Sequence, residues 1–149
     1  MDKRLYRMRL LFWKLKNPES SRDVLHNAMA TYRDVLFDWN DSLNRTLALC
    51  EMYFGQDARH QLEGSVYEMF ASIGRELEGA FRTRVNGGTV DGLKDVGKRI
   101  SVLGTSVYVL NVRLIGLIQS EHVGSLRPDH EAPRPLRVCT PDELVGNGA

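Results

Sequence analysis

Residues 100–118 read ISVLGTSVYVLNVRLIGLI, and the cover this stretch demands decides the fold. On a helix, Leu93, Val96, Gly97, Ile100, Leu103, Val107, Leu110, Leu114, Leu117 and Ile118 line one side. The opposite side holds Ser101, Val102, Thr105, Tyr108, Val109, Val112 and Gly116, with no charge among them. An ordinary surface helix is charged on its outer side, so a helix apolar all round is expected to be buried all round. Asn111, on the apolar stripe, suits a register or oligomer-state device.

The same window has about the length of a membrane span. Asn111 and Arg113 lie inside it, and Ser101, Thr105 and Ser106 dilute it. An arginine costs ~2.5–3.5 kcal/mol at a span's centre on an insertion scale, less near its end. Spanning through 100–118 is therefore the lesser alternative; it would put Lys94, Lys98 and Arg99 on the cytoplasmic flank.

Upstream, Asn86-Gly87-Gly88 is the clearest break, and Thr89 is the expected cap of a helix over 90–119. Before the break, Leu62, Val66, Met69, Phe70, Ile73, Leu77, Ala80 and Phe81 predict a helix over 58–85, capped by Asp57. Gly64, Gly74 and Gly79 inside it suggest close approach by a neighbour, or a bend. Gly55 closes a longer helix whose Leu25, Met29, Tyr32, Leu36, Trp39, Leu43, Thr46 and Cys50 keep a 3.5-residue period. Val24, Ala28, Val35 and Leu47 widen that seam to a bundle-type face. At 1.5 Å per residue this helix would run roughly 50–55 Å. Asn17 with Pro18, or Ser20 with Asp23, supplies its start. The connection at Gly55 is so short that the helices it joins must lie antiparallel.

Residues 1–16, MDKRLYRMRLLFWKLK, carry six basic side chains against Asp2 alone, a surplus of +5 in a chain of net charge +1. Leu5, Met8, Leu11, Phe12 and Leu15 share one helical face, and Tyr6, Leu10 and Trp13 form a narrower stripe. Two readings stand. One is a short helix packed on the bundle with basic stems lying over apolar surface. The other is a helix on an anionic membrane surface, with Arg4, Arg7, Arg9, Phe12, Trp13 and Lys14 as the contact residues.

After residue 120 the apolar periodicity stops, and four of the five prolines follow: Pro128, Pro133, Pro135 and Pro141. This predicts a largely disordered tail over 121–149. Thr140-Pro141-Asp142-Glu143 could start one short helix, and 134–138 could be an extended docking peptide.

Candidate chemistry is sparse. Two cysteines, Cys50 and Cys139, make neither a disulfide framework nor a zinc site and suit a reduced compartment. Cys50 lies on an apolar seam, and no scaffold places a base beside Cys139. Asp23 with His26 and Asp57 with His60 have the helical i, i+3 spacing of metal ligands. Antiparallel packing would separate the two pairs by roughly 35 Å along the axis, so no joint metal site is expected. No glycine-rich phosphate loop follows a strand, and the net charge of +1 argues against a dedicated nucleic-acid binder. The apolar run at 10–13 is far shorter than a signal peptide needs.

The expectation is an all-α protein: an antiparallel bundle of three long helices over 17–120, a short basic helix over 1–16 and an irregular tail. It is expected to be a cytoplasmic, non-enzymatic interaction or scaffold protein with no catalytic residue, metal or cofactor. Self-association as a homo-oligomer, most simply a dimer, would use Val102, Tyr108, Val109, Asn111 and Val112 on the last helix. The alternative is a membrane-associated accessory protein attached peripherally through residues 1–16.

Overall fold

The computed structural model describes residues 1–120, and the expectations for the tail and Cys139 lie outside them. Among the described residues the protein is all-α. α1 (Asp2–Lys16) has Asp2 in its first turn and Lys14 and Lys16 in its last, which complements the helix dipole. It stops at Asn17, whose backbone is extended (ψ 116°), as a residue before proline prefers. The Asn17 side chain accepts from the Glu19 amide at 3.1 Å, so this residue ends α1 rather than capping the next helix. Ser21 is the cap of α2 (Arg22–Phe54), accepting from the Val24 amide.

α2 runs unbroken to Gly55. Its expected seam is buried at the two ends, at Leu25, Met29, Tyr32 and Cys50, but only half-buried at Leu36, Trp39, Leu43 and Thr46 between them. Val24, assigned to the core face from spacing, is exposed.

After Gly55 come α3 (Gln56–His60), a π-helical segment (Gln61–Tyr67) and α4 (Glu68–Val85). The residues joining them keep right-handed helical backbone angles, so the chain continues as a helix throughout. The buried stripe explains the π segment. Ala58, Leu62, Val66 and Phe70 are spaced four, four and four. Three such steps overshoot three α-turns by about 1.2 residues, which would swing Phe70 off the face. A wider turn absorbs the excess and keeps all four facing inward.

α4 closes at Asn86 in a Schellman motif. The Gly88 amide donates to Thr83 O (2.9 Å) and the Gly87 amide to Arg84 O (3.1 Å), with Gly87 left-handed at φ +80°. α5 (Leu93–Gln119) begins three residues later than expected. Gly92 adopts φ +81°, which interrupts any helix started at Thr89, so its own carbonyl opens α5 and Thr89 caps nothing.

Contacts pair the elements in opposite order along the chain. Arg22 donates to Val85 O, Arg33 meets Glu78 at 2.6 Å, and Trp39 packs on Phe70. On the other side of α4, Arg99 donates to Ser72 Oγ at 2.7 Å and Arg113 to Gln61 Oε1 at 2.9 Å. α1 is a full member of this packing, against α2, α4 and α5 together. Met8 and Leu11 on it are completely buried, in one core with Phe70, Ile73, Leu77, Leu103 and Leu110. It fits closely on α5 because Gly97 has no side chain: a Cβ there would stand 2.7 Å from the Phe12 ring. The basic N-terminal helix thus packs through its apolar face on the other helices and keeps Tyr6 and Trp13 outside.

Candidate functional site

Two features stand out on this scaffold: an uncovered apolar face and a buried, unpaired arginine.

The first is the outer side of α5. Val96, Ile100, Leu103, Val107 and Leu110 are buried, and α5 packs on α1, α4 and the π segment. The opposite face is bare. Val102 is 55% exposed, Tyr108 68%, Val109 48% and Val112 49%. The expectation of burial all round fails within one chain, because α1 and α4 occupy one side only and no described element reaches the other. Ile115 extends the exposed stripe; Ile118, five full turns after buried Ile100, keeps its expected place on the inner side but is exposed there. Asn111 is half-buried at its edge. Ser101, Thr105 and Gly116 lie exposed on the same face, which Arg113 flanks on one edge and the Arg9 guanidinium, lying against Gly104, on the other. α5 is also long and apolar enough to cross a membrane, with only 22% of its most apolar window buried.

The six residues expected to meet a membrane through α1 separate. Arg4 and Phe12 are interior, at 2% and 7% exposure, and have no access to a bilayer while the bundle is intact. Trp13 and Arg9 are exposed, and Arg7 and Lys14 are half-buried. Tyr6 and Trp13 carry Arg7 and Lys16 over their rings at 5.7 and 5.1 Å, so the narrower aromatic stripe remains on the outside.

The second feature is Arg4 itself. Its guanidinium lies 4.5 Å from the Phe70 ring centroid, 5.6 Å from Trp39 and 6.0 Å from Tyr67. Nε and Nη1 have no hydrogen-bond partner. Tyr32 is a close electrostatic neighbour of this group, but its hydroxyl also lacks a partner of hydrogen-bond geometry. Desolvation lowers the Arg4 pKa, against the opposing pull of Tyr32 and Tyr67. Desolvation likewise raises Tyr32, and the adjacent Arg4 draws it back. Tyr32 therefore keeps its phenolic proton at neutral pH. Above these groups a cleft of about 300 Å³ opens between α2 and α4, where the α2 seam is least buried.

Cys50 is buried, and desolvation pushes its thiol pKa up, away from nucleophilic character. His26 stacks edge-on against Phe81 at 5.2 Å, and His60 is exposed. Among the described residues no three His, Cys, Asp or Glu side chains converge as metal ligands would. Glu78 is held below the usual carboxylate range by Arg82 and Arg33.

Comparison with known proteins found no matching family model, curated protein or solved structure.

Proposed function

We propose that this is a cytoplasmic, non-enzymatic interaction protein, an antiparallel helical bundle that pairs with a second copy through the outer face of α5. The observation that carries the reading is the stripe of Val102, Tyr108, Val109, Val112 and Ile115, each about half exposed or more. A contiguous apolar stripe of this kind marks an interaction surface. Arg9 and Arg113 only flank the stripe, so its apolar centre favours an apolar partner, and the nearest such surface is the same face on another copy. A two-fold axis across α5 would set each stripe against itself. Exposed Ser101, Thr105 and Gly116 leave room for the helices to approach.

The test is substitution on the stripe. Val109→Glu and Val112→Glu each place a charge where the partner helix would sit. Both should keep the wild-type helical circular dichroism while shifting the protein to monomer or to aggregate. An unchanged oligomeric state in both variants would contradict the proposal.

A second reading is attachment to an anionic membrane, and exposed Tyr6 and Trp13 beside basic residues on α1 support it. Changing Arg7, Arg9 and Lys14 together to Glu should then abolish co-sedimentation with anionic liposomes. Wild-type indifference to such liposomes at low salt removes this reading.

A further inference from the structure

Four polar atoms are buried around one place without a partner of good hydrogen-bond geometry: Arg4 Nε and Nη1, the Tyr32 hydroxyl and the Trp39 indole nitrogen, with the Arg4–Tyr32 attraction answering part of the deficit. All of them carry protons to donate, and arginine cannot shed its charge to escape the deficit. The Phe70, Trp39 and Tyr67 rings attract the guanidinium, but a ring contact leaves N–H donors still in want of an acceptor. A buried charge of this kind is strongly destabilising unless something answers it.

The cleft supplies the room. Arg4, Tyr32, Tyr67 and Phe70 line it, and at about 300 Å³ it stands at the small end of ligand sites. Gly74 keeps it open: a Cβ there would lie 2.5 Å from the Tyr32 hydroxyl oxygen. The ionised groups lining the cleft are Arg4, Arg75 and Glu78, a surplus of one positive charge. Glu78 is already engaged by Arg33 and Arg82. This balance suits a single negative charge and disfavours a dianion. A planar carboxylate matches the guanidinium fork, and aromatic walls favour a flat apolar body.

We propose that this cleft binds a small organic carboxylate, its oxygens held by Arg4 and the Tyr32 hydroxyl and its apolar body against Phe70 and Tyr67. The site is independent of the α5 face, and its occupant is a free small molecule.

Titration of the full chain with sodium benzoate tests this, with benzamide as the neutral shape match and inorganic phosphate as the bare anion. Calorimetry and amide chemical shifts are the readouts. Benzoate should saturate one site per chain, with shifts centred on Tyr32 and Phe70. Benzamide and phosphate should bind at least tenfold more weakly. Arg4→Met preserves an apolar stem and should weaken benzoate at least tenfold. If that variant does not fold, Tyr32→Phe deletes only the hydroxyl and should weaken it at least threefold. The proposal is overturned by benzoate binding no tighter than benzamide, by phosphate binding tighter than benzoate, or by no saturation with any of the three. Unchanged benzoate binding in either folded variant overturns it as well.

Discussion

Arg4 shares a helical stripe with Met8, Leu11 and Leu15, at spacings of four, three and four. That spacing places its side chain inward, yet composition counted it among the basic surface residues. Its burial was thus legible in the sequence by position and hidden by residue type, because arginine is rarely interior. The surroundings of Arg4 were half legible. Tyr32 and Trp39 fall on the α2 seam, whereas the meeting with Gly74 depends on the register of α2 against α4, which spacing within one helix cannot supply. This meeting makes a sharp prediction. Gly74→Ala sets a methyl 2.5 Å from the Tyr32 hydroxyl oxygen, and the next ring atom is 3.7 Å away. The variant should lose about 1–3 kcal/mol in urea denaturation, the usual cost of overpacking. In a Tyr32→Phe background the same change should be neutral or stabilise by up to ~1 kcal/mol, alanine being the better helix former, and equal losses in the two backgrounds would refute the contact. Burial of Cys50 makes a second prediction. In a Cys139→Ser background, thiol labelling at pH 8 should be slow in the native state and fast in denaturant. Immediate native labelling would contradict its place in the core.

At the scale of elements, α1 changes the picture most. Its Leu5, Met8, Leu11, Phe12 and Leu15 face was legible, and the structure spends that face on the core. What the sequence could not supply is the partner of the face: a basic amphipathic helix looks alike whether its apolar side meets protein or lipid. Leu11→Ala should therefore cost about 2–5 kcal/mol of stability, as core truncations do. Trp13→Ala, on the exposed side, should stay within about 0.5 kcal/mol. Chemical denaturation separates the two, and equal small effects would place α1 outside the core. The π segment had a sequence signal too, the steps of four from Ala58 to Phe70. It reads as an ordinary helix unless the drift is summed. The start of α5 was misplaced because Thr89 is a good cap by type, while Gly92 breaks the helix by backbone conformation.

On the scale of the whole molecule, the sequence placed most of the inner face of α5 correctly and left its cover undecided among a partner chain, α1 and lipid. α1 and α4 cover that inner side. The outer side, from Val102 to Ile115, remains open to solvent in the single chain. No reading of one sequence tells whether such a face meets its own copy, since an interface leaves the same apolar pattern as a core. The central claim is that this face binds a second copy, and the direct measurement is the mass of the wild-type protein in detergent-free buffer by light scattering during gel filtration. The account predicts a single species of twice the 16.9 kDa chain mass that persists on dilution through the micromolar range. A monodisperse monomer of 16.9 kDa, soluble without detergent, would contradict it.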